Sequence, residues 1–68
     1  MTRNYFKTKL TKALKECPVT RMCKVEAKDG LILIHTKSMS FDVTEYSTKF
    51  IDKIVHKIID VCMYESMV

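Results

Sequence analysis

Residues 21–43 read RMCKVEAKDGLILIHTKSMSFDV, and their alternation predicts three short antiparallel strands. Asp29-Gly30 marks a hairpin tip, because a two-residue type I′ turn needs positive φ at both central positions and these residue types accept it. With that tip placed, Lys28 faces Leu31, Ala27 faces Ile32, Val25 faces Ile34, Lys24 faces His35 and Cys23 faces Thr36. A second tight turn at Lys37-Ser38 pairs Thr36 with Met39, Ile34 with Phe41 and Ile32 with Val43. Side chains alternate between faces along a strand. One face therefore collects Cys23, Val25, Ala27, Ile32, Ile34, Met39, Phe41 and Val43. The other collects Met22, Lys24, Glu26, Leu31, Leu33, His35, Lys37, Ser40 and Asp42. A slip of one residue would turn the apolar set to the wrong side, so two independently placed turns that agree on one face define the register.

The flanks read as helices. Over residues 4–17, Phe6, Leu10, Ala13, Leu14 and Cys17 recur at helical spacing and form one apolar stripe, with Lys9, Lys12 and Lys15 mostly off it. Thr2 or Asn4 suits the start as a cap. Pro18 ends the helix, since the residue before a proline is pushed out of the α region. Over residues 45–63, Ile51, Ile54, Val55, Ile58 and Cys62 make the stripe, widened by Phe50 and Ile59, after a cap at Thr44 or Ser47. Lys49, Asp52, Lys53, His56, Lys57 and Asp60 line the opposite, solvated side. Residues 64–68 are expected to fray. The order is α-β-β-β-α in one α+β domain over residues 1–68: a three-stranded antiparallel sheet with both helices on one face. The other face stays open, with free strand edges beside it.

Sixty-eight residues allow one small domain, and its net charge of +4 is uneven. Residues 1–28 hold eight basic and two acidic side chains, a balance of +6, while residues 29–68 hold four and six, a balance of −2. A basic half points to an acidic partner, nucleic acid before membrane. Cys17, Cys23 and Cys62 are an odd number of thiols without metal-ligand spacing, which argues for a reducing compartment, here the cytoplasm, and against a disulfide framework or a metal. Cys23 and His35 fall on opposite faces. No apolar run reaches the length of a membrane span. The basic, acid-free first fifteen residues have the look of an organelle presequence, but the core needs them. No glycine-rich phosphate loop, carboxylate pair or Cys–His pair on one face supports an enzyme, a cofactor or a small-molecule substrate.

An aromatic pair near the start of the first helix (Tyr5-Phe6), then Pro18, Thr20-Arg21, Lys24, the Asp29-Gly30 hairpin and a long second helix resemble the nine-kilodalton subunit family of the signal recognition particle. These are the smaller of its Alu-domain proteins. The resemblance covers nearly the whole chain. It implies an α-β-β-β-α fold and a heterodimer with the fourteen-kilodalton subunit, whose joined sheets grip the Alu end of the particle's RNA. Lys24 falls on the family's basic position in the first strand, and His35 falls where the second strand carries a lysine. Val25 stands in place of the family's tyrosine, and Glu45 lies near a position the family fills with a base. The expected RNA contacts are Arg21, Lys24, Lys28, His35 and Lys37.

A double-stranded-RNA-binding domain has the same element order, but it needs a long first hairpin loop and a lysine cluster opening the last helix. Here the tip is Asp29-Gly30, and Glu45-Tyr46 stands where the lysines would be. The competing expectation is a protein-interaction module or homodimer that uses the open face, favoured by Met22, Leu31 and Leu33 and by the acids Glu26 and Asp42.

Overall fold

The Asp29-Gly30 tip organises the sheet as its chemistry requires. In the computed structural model, which describes residues 3–67, Asp29 has φ 53° and Gly30 φ 79°. Both values lie in the left-handed region that a type I′ turn demands. From this tip β1 (Lys24–Lys28) and β2 (Leu31–His35) pair antiparallel, with Lys24 opposite His35, Val25 opposite Ile34 and Lys28 opposite Leu31. β3 (Ser40–Asp42) pairs on the far side of β2, with Ile34 opposite Phe41. Two backbone bonds extend this ladder, Thr36 N–H to the Met39 carbonyl at 2.8 Å and Val43 N–H to the Ile32 carbonyl at 2.9 Å. The sheet order is β1-β2-β3, so β1 and β3 are its edges.

α1 (Arg3–Glu16) precedes the sheet and α2 (Ile51–Met67) follows it. One buried cluster joins them: Phe6, Leu10 and Leu14 of α1, Ile32 and Ile34 of β2, Val43, and Ile54 and Ile58 of α2. Ile32 and Ile34 project from the same side of β2, so the core is built on that side. Burial of each such side chain contributes about 1.5–3 kcal/mol. Leu31, on the opposite face, remains 41% exposed. The expected apolar face is buried only at its centre. Cys23, Val25 and Phe41 are half-buried, and Ala27 and Met39 are exposed, because two short helices do not cover the edge strands.

The end of α1 is held by a residue that periodicity does not reveal. Thr20 is fully buried, and its hydroxyl donates to the Leu14 carbonyl at 2.6 Å. It thereby satisfies one of the carbonyls that a helix C-terminus leaves without an intrahelical donor. The Thr20 N–H donates to the Cys17 carbonyl at 3.1 Å and the Cys23 N–H to the Thr20 carbonyl at 3.0 Å, which turns the chain from α1 into β1.

The second helix departs from expectation at both ends. Apolar spacing places its start at residue 45, but it begins at Ile51, after a single 3-10 turn at Thr48–Phe50. Thr44 does not serve as its cap. Its hydroxyl accepts the Ile32 N–H at 2.8 Å and donates to Asp42, which also takes the Thr44 N–H. These bonds extend the strand environment past β3 and delay the helix. Ser47, the other expected cap, takes the cap position of this 3-10 turn, with no side-chain capping bond. At the other end the helix runs past residue 63 to Met67, and Val68 lies outside the described residues. The reason is Glu65, whose carboxylate accepts from the hydroxyls of Thr36 and Ser38 and from the Ser38 N–H. The alternative cap for α1, Thr2, also lies outside the described residues.

Candidate nucleic-acid interface

The open face of the sheet forms three cross-strand rows. The first is Lys24–His35–Ser40, the second Glu26–Leu33–Asp42, and the third Lys28–Leu31. Lys24 and His35 are direct neighbours, as the turn chemistry predicts. His35 does not point freely at solvent. Its Nε2 lies 2.8 Å from Oε1 of Glu26, and its Nδ1 lies 2.8 Å from Oγ of Ser40. A neutral ring satisfies both contacts by donating from Nε2 and accepting the serine hydroxyl at Nδ1. Glu26 therefore competes with any phosphate for this histidine. Glu26 and His35 are diagonal neighbours on one face, within reach of each other in any antiparallel pair, so this contact was readable from the register.

Lys24, His35 and Lys37 line one open cleft of about 620 Å³ between the sheet and the last turns of α2, together with Cys23, Cys62 and Glu65. Glu65 is the carboxylate among the residues lining it. The Ser38 hydroxyl, then the Thr36 hydroxyl and the N–H groups of Ser38 and Lys37, hold its carboxyl below its ordinary value. It is thus an anion at neutral pH, set against the Lys37 turn. Of the other expected contacts, Lys28 stands four residues along β1 from Lys24, about 13 Å at strand rise. Arg21 is exposed in the turn before β1, outside the cleft lining. Lys24, His35 and Lys37 are thus brought together, and Arg21 and Lys28 stand apart from them.

A second basic surface was not singled out by the sequence. Lys7, Lys12 and Lys15 of α1 line a groove of about 650 Å³ that reaches Val25 on the edge strand β1, with Glu16 at one end. Lys7, Thr11 and Lys15 recur four residues apart, with Thr8 and Lys12 beside them, so this flank of α1 is one basic stripe. The threonine hydroxyls are turned back on the helix, Thr8 to the Asn4 carbonyl at 2.9 Å and Thr11 to the Lys7 carbonyl at 2.7 Å. Lysines are therefore the groove's main outward donors. The signal was present in the sequence as the +6 balance of residues 1–28, but periodicity alone placed Lys12 and Lys15 only off the apolar stripe.

Among the described residues, no group of three or more His, Cys, Asp and Glu side chains is placed to hold a metal ion. No helix of the described residues is long and apolar enough to cross a membrane. The protein is an α+β module of α-β-β-β-α order with two basic concavities flanking its first strand. Comparison with protein-family models, with curated proteins and with solved structures finds no match for this chain.

Proposed function

We propose that this chain is an RNA-binding subunit, of the kind that holds the Alu-type RNA of a signal recognition particle as one half of a dimer. The observation that carries the reading is that seven of the eight basic residues of the +6 segment lie in two neighbouring elements, α1 and the edge strand β1. Their lysines flank both the α1 groove and the Lys24–Lys37 cleft. Ammonium groups spaced along two adjacent elements suit a phosphate backbone, which binds through charge and counterion release without base readout. The resemblance to the nine-kilodalton subunits supplies the particular RNA class.

The open face suits a different occupant. Its charges balance, Lys24 and Lys28 against Glu26 and Asp42, and Leu31 on it is 41% exposed. That mixture favours protein over phosphate, so on this reading the second subunit meets the Leu31 end of the open face, while Lys24 at the cleft and the lysines of α1 meet RNA.

The test is filter binding to Alu-type RNA over a salt series, with the fourteen-kilodalton subunit present. Lys12→Ala and Lys24→Ala should weaken binding across sequences and each flatten the log–log salt slope by about 0.7–0.9. Lys57→Ala, on α2, should do neither. Equal losses from Lys24→Ala and Lys57→Ala would mean diffuse charge and no site. No binding even with the partner would leave the open face as a protein-interaction surface only.

A further inference from the structure

Two thiols far apart in sequence meet at the wall of the Lys24–Lys37 cleft. Cys23 immediately precedes β1 and Cys62 lies in the C-terminal half of α2. They are 39 residues apart, yet their Sγ atoms stand 3.4 Å from each other, in contact. Both are free and half-buried, and both line an open cleft that a small reagent can enter. We propose that Cys23 and Cys62 form a modification site, a dithiol that a small-molecule disulfide such as oxidised glutathione converts to an intrachain disulfide. The inference is independent of what the cleft or the groove binds.

The chemistry balances in two exchanges. The Cys62 thiolate attacks one sulfur of the glutathione disulfide, breaking its S–S bond, and the departing glutathione thiolate takes up a proton. Cys23 then loses its proton and attacks the Cys62 sulfur of the mixed disulfide, displacing the second glutathione. The protein gives up two electrons and two protons, and one glutathione disulfide becomes two thiols. The order of attack follows from the surroundings. Burial, then the hydrogen bond and charge of Cys62, then Glu65, push the Cys23 thiol up to about 12. Cys23 therefore holds its proton more tightly than an ordinary thiol, so the first attack falls to Cys62. Once Cys62 is in a mixed disulfide it has no charge to oppose ionisation of Cys23.

Cys17 is the competitor. The Val19 N–H, followed by Thr20, holds its thiol below the ordinary value, so glutathione adds there too. It sits just past the end of α1, and the sulfur contact in the structure joins the other two cysteines. An adduct at Cys17 therefore stays an adduct.

The product would tie the last turns of α2 to the entry of β1. Closing so long a loop restricts the unfolded chain and raises the melting temperature, by about 10 °C or more.

The experiment treats reduced full-length protein, wild type and Cys17→Ser, with oxidised glutathione. It reads intact mass, free thiols, tryptic peptides without reductant, and melting. In Cys17→Ser the expected result is the loss of two hydrogens, no added glutathione and no remaining thiol. In wild type, peptide 22–24 should be joined to peptide 58–68, with glutathione only on peptide 16–21. Both proteins should melt higher, reversibly with dithiothreitol. A cross-link through peptide 16–21, a lasting glutathione adduct on 22–24 or 58–68, a disulfide between chains, or thiols that survive treatment of Cys17→Ser would each overturn the proposal. Because the wild-type chain is mapped as well, the outcome does not depend on how the variant folds.

Discussion

Glu65 accepts the backbone N–H of Ser38 at 2.9 Å, and with it the serine hydroxyl, so the last turns of α2 are bound to the turn between β2 and β3. The Thr36 hydroxyl donates to the same oxygen at 2.8 Å. A carboxylate with three donors turns a helix end that would fray into an anchor for a two-residue turn.

Glu65→Gln should lower the melting temperature near neutral pH. These bonds hold the folded carboxyl below its ordinary value. Its contribution is therefore fully present above the unfolded pKa, about 4.3, and is lost as pH falls through the lower folded value. Asp42, held down by the Thr44 hydroxyl and N–H, adds to the same trend. Thermal melts of both proteins between neutral and acid pH check this. The gap between wild type and variant should narrow below about pH 4, and a constant gap would mean that the amide loses only shape.

Thr20→Val should destabilise the fold by about 1–3 kcal/mol, although the two side chains have nearly the same shape. Thr20 is fully buried, and losing its 2.6 Å bond would leave the Leu14 carbonyl only the long 3.4 Å bond from the Cys17 N–H. Urea unfolding measures the change. An unchanged midpoint would show that the helix end finds another donor.

Gly30→Ala should cost about 1–2 kcal/mol through backbone conformation alone. Gly30 has φ 79°, and a Cβ built there meets nothing within 4 Å. Gly30→Asn should cost less, because asparagine tolerates the left-handed region. Equal stability of the alanine variant and wild type would mean that the tip changes turn type.

Ile54→Asp should unfold the domain, whereas Leu31→Asp should leave it folded. Ile54 is 5% exposed within the core and Leu31 is 41% exposed on the open face. An unpaired carboxylate in the core costs several kcal/mol, against a total of about 3–10 for a chain of this length. Far-ultraviolet circular dichroism of the two variants distinguishes them, and a folded Ile54→Asp would contradict the assigned core.

The sequence by itself determined the sheet. Asp29-Gly30 and the Lys37-Ser38 turn leave only one register that keeps Ile32, Ile34, Phe41 and Val43 on one side, and the observed pairing within the three strands follows it. Both helices were legible from apolar spacing, because periodicity is a local property of the chain. Lys24 opposite His35 followed from the same register.

Contacts set by three-dimensional approach were decided only in the tertiary structure. Glu65 meets a turn 27 residues away, and Cys62 meets Cys23 from 39 residues away. Both depend on the rotation of α2 over the sheet, which its apolar stripe defines only broadly. The late start of α2 belongs to the same class. Thr44 is a good helix cap by composition, but the β3 side of β2 brings the Ile32 N–H to its hydroxyl at 2.8 Å, which ties Thr44 to the sheet instead of to a helix start.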